Sequence, residues 1–291
     1  MDRHPPGSQS SIKVPVTRAH DSQYTDDSDW LVIEEPLEIR LSQCIDDSRQ
    51  THSISVTMRT PGADFDLAAG FLLTEGIICN PSDIQSMGYT TDQNTDTPSQ
   101  NIVVVNLAPE VEFDIGKLQR NFYATSSCGV CGKASLEALS YESSYEVIGD
   151  QLLIDQAALT DLPDMLASRQ TTFARTGGLH AAALFDAKGR LLEVREDVGR
   201  HNAVDKLIGA ILRSGKLPLS NQGILTSGRA SFEILQKVRM AGCPMVAAVG
   251  APSSLAADLA WEFDMTLVGF LRDRRFNIYT GPARIGSASA D

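Results

Sequence analysis

Met245-Val246-Ala247-Ala248-Val249-Gly250-Ala251-Pro252-Ser253-Ser254-Leu255-Ala256-Ala257-Asp258-Leu259 reads as one structural unit. An apolar run of strand length meets a turn of small residues, and a helical stretch to residue 262 follows. The unit has a twin upstream. Residues 223–226 form a strand, Ser227-Gly228-Arg229-Ala230-Ser231 the turn, and Phe232, Leu235, Val238 and Met240 mark the helix. Downstream, the strand 266–270 runs into Leu271-Arg272-Asp273-Arg274-Arg275, and a further strand at 276–279 follows. Alternating strands and helices with near-continuous apolar strands predict an α/β fold: a largely parallel sheet covered on both faces. Ligands of such sheets bind at the carboxyl ends of the strands. Ser227-Gly228, Gly250-Ala251-Pro252 and residues 272–275 all fall at such ends.

Further upstream, Gly177-Gly178 precedes His180 and the apolar strand Ala181-Ala182-Ala183-Leu184-Phe185, which Lys188-Gly189 turns back into residues 191–194. Then comes Glu196-Asp197-Val198-Gly199-Arg200-His201, ahead of a helix with Val204, Leu207, Ile208, Ile211 and Leu212 at helical spacing. A charged run before a helix is ordinarily a solvated cap. Here Asp197, Arg200 and His201 cluster at the end that faces the loops, which makes them candidates for a site. Residues 156–168 read as a helix interrupted or begun by Pro163.

The first half is of another style. Residues 1–27 are polar, rich in Ser, Asp, Pro and Arg, and are predicted to be a disordered tail. Alternation at 31–41 and 53–59 predicts half-buried strands, Asp64 a helix cap, and residues 102–107 a strong strand. These define a small α+β domain over 28–124. Cys79, after Ile77-Ile78, reads as a buried hydrophobe.

Between the halves lies Thr125-Ser126-Ser127-Cys128-Gly129-Val130-Cys131-Gly132-Lys133, predicted as a mobile loop. Glycines and serines let its backbone bend and leave the sulfurs accessible. The helical run that follows and Lys133 favour thiolate, the reactive form. A Cys-x-x-Cys pair can do redox work, supply half of a metal site, or carry sulfur. Structural zinc needs two more ligands, and Cys44, Cys79 and Cys243 are isolated, with no His-x3-5-His pair. A zinc deaminase needs His-x-Glu and Pro before the first cysteine; the chain has no His-x-Glu, and Ser127 stands where that Pro would be.

Composition bounds the rest. The chain has 291 residues, 42% hydrophobic, with a net charge of −12. That charge argues against general nucleic-acid binding, which rests on phosphate neutralisation. No apolar run approaches a membrane span and the N-terminus lacks a signal-peptide core, so a cytoplasmic protein with reduced cysteines is expected.

Taken together, Ser127-Cys128-Gly129-Val130-Cys131-Gly132, Thr176-Gly177-Gly178 with His180-Ala181-Ala182-Ala183, Glu196-Asp197-Val198-Gly199-Arg200-His201, Ser227-Gly228-Arg229-Ala230-Ser231 and Leu267-Val268-Gly269-Phe270 resemble the FdhD family, sulfurtransferase accessory proteins of formate dehydrogenase. The motifs run in order across roughly residues 30–285. The resemblance implies a cytidine-deaminase-like three-layer α/β domain over 134–285, a smaller N-terminal α+β domain, a short tail at 286–291, and a homodimer. It implies sulfur transfer from a cysteine desulfurase, through a persulfide on Cys128 with Cys131 as an auxiliary thiol. The implied acceptor is the bis-molybdopterin guanine dinucleotide form of the molybdenum (or tungsten) cofactor, before its insertion into formate dehydrogenase. GDP would be a partial mimic of that cofactor. Phe270, Leu271, Arg272, Asp273, Arg274 and Arg275 match the family's cofactor-binding segment. No metal is expected on the protein itself. The competing readings are a non-catalytic cofactor chaperone, which shares the nucleotide site but does not need Cys128, and a zinc-dependent deaminase.

Overall fold

The structure, a computed structural model, describes residues 10–45, 48–91, 98–111 and 143–286. The chain begins with a long antiparallel hairpin, β1 (Ser11–His20) and β2 (Gln23–Val32), closed by Asp21 and Ser22 at positive φ. Two consecutive left-handed residues give the turn whose twist matches a two-residue hairpin. The predicted disordered tail is therefore corrected over residues 11–27. Ile12, Val14 and Val16 do alternate, but the polar residues around them and the largely exposed facing strand mask the pattern. The hairpin's base is tied down by the Arg175 guanidinium, 4.7 Å above the Trp30 ring.

A four-stranded sheet follows: β3 (Glu35–Ile45), β4 (Ser48–Arg59), β5 (Ile84–Thr91) and β6 (Pro98–Leu107), in the order β4-β3-β6-β5. Every second residue of β3 and β6, Leu37, Ile39, Leu41, Val103, Val105 and Leu107, is buried, as the two-residue period of a half-covered sheet requires. Helix α1 (Asp64–Thr74) packs on this side. Asp64 does not cap it. Ala63 holds the cap position, and Asp64 is taken by the fully buried Arg59 at 3.0 and 3.1 Å.

The second sheet has six strands: β8 (His180–Asp186), β9 (Leu191–Asp197), β10 (Gln222–Thr226), β11 (Met245–Ala248), β12 (Thr266–Arg272) and β13 (Arg275–Thr280), in the order β13-β12-β11-β10-β8-β9. The pairs β10/β11 and β11/β12 are parallel; β8, β9 and β13 join antiparallel. The sheet is mixed rather than largely parallel. Strand–helix alternation is preserved only through the central units, while the flanking strands enter as hairpins.

Both faces are covered. Ala181, Ala183, Phe185, Leu225, Ala247 and Val268 pack with Leu159, Leu162 and Leu166 of α2 (Gln156–Arg169), a helix that continues through Pro163. The alternate residues, among them Ala182, Leu184, Ile224, Val246 and Leu267, pack under α4 (Arg200–Arg213), α5 (Phe232–Met240) and α6 (Ser254–Glu262). A short helix, α3 (Thr171–Thr176), leads into β8, and the two-residue strands β7 (Ile154–Asp155) and β14 (Ile285–Gly286) pair parallel. Gly286, placed by the sequence reading in the tail, is thus in a strand; residues 287–291 and the predicted domain boundary lie outside the described residues.

The four-stranded sheet does not own a separate core. Its inward residues belong to the same apolar cluster as α1, α4 and α5. Contact between α1 and α4 is made at glycines: a Cβ on Gly70 would stand 1.9 Å from the Asp205 carbonyl oxygen, and one on Gly209 1.8 Å from that of Asp66. Around this seam, Lys237 binds Glu75 and Asp205 at 3.0 Å each, and Asp66 binds Arg195 and Arg213. Among the described residues no helix is long and apolar enough to cross a membrane.

Candidate functional site at the strand ends

β9, β10, β11 and β12 all finish at one edge of the six-stranded sheet, where β8 begins. The turns there are laced together by their backbones. Gly250 donates to Gly228 O at 3.0 Å, Ala230 to Ala251 O at 3.2 Å, Ser253 to Ala230 O at 3.0 Å, and Phe270 to Gly250 O at 3.0 Å. Gly250 fits because a Cβ there would lie 2.8 Å from Gly228 O. The Ser227 hydroxyl accepts the Ala181 N–H at 2.9 Å, joining the β10 turn to β8. The sequence places these turns together, and the structure does so.

Within this ring the expected cluster of Asp197, Arg200 and His201 divides. Asp197 is fully buried and structural: it takes Lys206 Nζ at 2.7 Å and the N–H groups of Gly199 and Thr60 at 2.8 and 3.2 Å. His201 Nε2 stands 3.3 Å from Glu233 and 3.4 Å from Ser231 Oγ, and Ser231 donates to Glu233 at 2.9 Å. The His201 contact is the main cause that pushes Glu233 down to about 2. Arg200 is different. Its Nε is shut off from solvent and has no acceptor among the described residues. His180, half-buried at the start of β8, has its pKa lowered by burial first and then by Arg200 and His201, so it is neutral near pH 7.

Glu233 and the pairing of the buried lysines are not marked by any sequence motif, whereas Ser231 belongs to the turn that the sequence singles out. Lys206 and Lys237 lie within apolar helical stripes, and that placement is the signal that each would need a buried carboxylate. Beside His201 and Glu233 opens a cavity of about 250 Å³ between β4, α1, α4 and α5, with Phe71, Asn202 and Lys237 in its wall.

The arginine segment is placed less simply than the sequence implies. Leu271 is buried in the core under α2, so only its backbone can meet a ligand. Phe270 is partly buried and at positive φ. Asp273 and Arg274, also at positive φ, form the turn of the β12–β13 hairpin. Arg272 is exposed, and Arg274 binds Asp161 of α2 at 2.8 Å, on the sheet face opposite α4 and α5. Arg274 and Arg275 border a groove of about 600 Å³ with Gln156, Phe276, Ile278 and Ile285.

The remaining predicted residues fare differently. Cys128 and Cys131 lie outside the described residues. Cys79 is exposed, not buried: Ile78 takes the inward position and Cys79 follows it out. Cys243 is buried, and desolvation pushes its thiol up to about 12, which leaves it unreactive near neutrality.

A mixed sheet between helical layers, with glycine-rich turns gathered at one edge, makes this a mixed α/β protein. The chain belongs to the FdhD/NarQ family, whose model matches residues 32–286. It is 49% identical to the sulfur carrier protein FdhD of Streptomyces coelicolor over 277 residues, covering 94% of this chain and 95% of that one. It is 53% identical to the protein of the same name from Mycolicibacterium paratuberculosis over 257 residues, 88% of this chain and 92% of that one. A crystal structure from Desulfotalea psychrophila, described as that of a candidate formate dehydrogenase accessory protein, superposes with a TM-score of 0.72 at 25% identity, covering 96% of this chain and all of that one.

Proposed function

We propose that the protein is a sulfur carrier serving formate dehydrogenase. The family match that encloses Cys128-Gly129-Val130-Cys131 carries the reading, supported by relatives named as sulfur carriers over nearly their whole length. The Cys128 thiolate attacks the terminal sulfur of a cysteine desulfurase persulfide. The donor's sulfur–sulfur bond breaks, the donor leaves as a thiolate, and the sulfur remains on Cys128 as a persulfide. Cys131 is an auxiliary thiol: a disulfide between the two would release the sulfur. Bis-molybdopterin guanine dinucleotide, in its molybdenum form, is the acceptor and enters as substrate. It docks at the strand ends and the Phe270 to Arg275 segment.

The donors present suit such a ligand. Arg272, Arg274 and Arg275 offer charge-assisted hydrogen bonds, and the turns of residues 227–231 and 250–254 open onto the first turns of α5 and α6. The layered mixed sheet is consistent with a cytidine-deaminase-like scaffold used without zinc chemistry. Action in the cytoplasm as a homodimer, with no zinc held by the protein, completes the proposal.

Incubation with a cysteine desulfurase and cysteine, followed by peptide mass spectrometry, tests it. One added sulfur mass on the Cys128 peptide, absent in Cys128→Ala and kept in Cys131→Ala, is expected. Sulfur found only on Cys131, or on neither, would refute it.

A further inference from the structure

We propose that the free edge of β4 and the cavity beside it form a docking groove for an extended peptide of a partner protein, which pairs with β4 and places a lysine or arginine in the cavity. The groove rests on geometry and not on the sulfur-carrier reading.

An unpaired strand edge is a template for another chain, and proteins ordinarily close it with proline, charge or a bulge. The other long edges of this protein carry such devices. In the β1–β2 hairpin, the antiparallel alternation counted from the His20–Gln23 pair turns the backbone nitrogens of Pro15, Ser28 and Trp30 outward. Pro15 has no N–H to offer, and the side chains of Asp27 and Asp29 accept the N–H groups of Ser28 and Trp30 at 2.7 and 2.8 Å. β9 carries Glu193, Arg195 and Glu196. β5 and β13 each pair with two register shifts.

β4 is the exception. It ends the order β4-β3-β6-β5, and Ser53-Ile54-Ser55-Val56-Thr57-Met58 holds no charge and no proline. Its one irregularity falls at Ile54, which leaves residues 55–59 straight. Toward the end of the strand, α4 occupies the edge: Asn202 Nδ2 donates to Met58 O at 2.8 Å, and Lys206 Nζ to Thr60 O at 2.7 Å. By the two-residue period the N–H and C=O of Val56 point the same way, and nothing among the described residues pairs with them.

The cavity of about 250 Å³ runs along this open stretch. Ser55, Val56 and Thr57 line it in succession, so it follows the backbone rather than one face of the sheet. Phe71 and Glu75 of α1 and Glu233 and Lys237 of α5 form its other walls. An added strand sends alternate side chains to alternate faces, so one of them enters between Phe71 and Glu233. Charge selects that side chain. Lys237 is shared by Glu75 and Asp205, whereas the half-exposed Glu233 is met by His201 and Ser231 and by no lysine or arginine at ion-pair distance among the described residues. A basic side chain reaching Glu233 past an aromatic ring gains a charge-assisted hydrogen bond. A second copy of β4 has no basic residue over 53–58 to place there.

The probe is a fluorescein-labelled peptide, Ser-Thr-Val-Lys-Val-Thr-Ser, added to the full chain and followed by fluorescence anisotropy. It should bind about ten-fold or more tighter than the same peptide with Glu in place of Lys, the worth of one charge-assisted contact. Glu233→Lys should reverse that preference. Val56→Pro, which removes an N–H from the edge, should weaken binding of the Lys peptide by about ten-fold. N-methylation of both peptide valines removes the matching donors from the other side and should do the same on an unaltered protein.

No binding of the Lys peptide by wild type would overturn the groove. So would equal affinity for the Lys and Glu peptides, or an affinity that N-methylation leaves unchanged. Dimers in sedimentation that vanish with Val56→Pro would also overturn it, since the edge would then belong to a second copy of the chain. Persulfide formation on Cys128 is read separately, and its failure would leave this result standing.

Discussion

Around the α1–α4 seam the buried lysines have their carboxylates: Lys237 lies 3.0 Å from both Asp205 and Glu75, and Lys206 lies 2.7 Å from Asp197. At the strand ends, a few residues away, Arg200 has an enclosed Nε with no acceptor among the described residues. The same kinds of residue are used in two ways. In the seam, pairing fixes how the four-stranded and six-stranded sheets share one core, and glycines at 70 and 209 remove any slack. Burial would lower the pKa of Lys237, but the two carboxylates outweigh it and hold the amine charged. At the strand ends, the Arg200 Nε has no such pairing among the described residues.

Substitutions that turn one region into the other test the contrast. Lys237→Met should be the most damaging, because it strands Asp205 and Glu75 without their cation. The expected loss is about 3–5 kcal/mol in denaturant unfolding. A loss under about 1 kcal/mol would mean that water or neighbours replace the pair and that the seam is not held by it.

Gly70→Ala comes next. Its Cβ would meet the Asp205 carbonyl at 1.9 Å, so the helices must separate, at a cost of about 1–3 kcal/mol measured in the same way. Gly209→Ala meets α1 from the other side, and the double variant should cost less than the sum, since one separation serves both.

Arg200→Gln should leave stability within about 0.5 kcal/mol of wild type, since among the described residues the Arg200 Nε makes no hydrogen bond to lose. A large loss would give Arg200 a structural partner and dissolve the contrast.

The smallest effect concerns acid. Glu233 titrates at about 2 in the folded protein against an ordinary 4.5. Its contribution to stability is therefore fully present above about pH 4.5 and is lost as pH falls toward 2. The stability gap between wild type and Glu233→Gln should narrow over that window. Because the Glu233 side chain is about half-exposed, the gap should stay under about 1 kcal/mol. A gap that does not change with pH would remove the His201–Glu233 contact as its cause.

Much of the six-stranded layer is legible in the sequence because its strands are apolar runs and its helices carry apolar residues at helical spacing. The turns after β10 and β11 are legible for the same reason: small residues between a strand and a helix have few other uses. The hairpin β1–β2 is not, because both its faces are largely exposed and its composition looks like that of an unstructured tail. The cluster at 197–201 reads as one site in the sequence and separates in three dimensions, since Asp197 finds Lys206 two turns along α4. Nothing in the sequence marks the Arg200 Nε as enclosed without an acceptor among the described residues. That property belongs to the arrangement of β8, β10 and α4. The arginines at 272, 274 and 275 are adjacent in the chain, but the hairpin turn sends Arg274 to α2.

The sulfur-carrier account stands or falls on Cys128 in a functional assay. Formate dehydrogenase should be matured in the presence of wild type, Cys128→Ala or Cys131→Ala protein, with a cysteine desulfurase and cysteine supplied, and its activity measured. The expected result is an inactive dehydrogenase with Cys128→Ala and retained activity with Cys131→Ala. Full activation by the Cys128→Ala protein would contradict the account and leave a cofactor chaperone in its place.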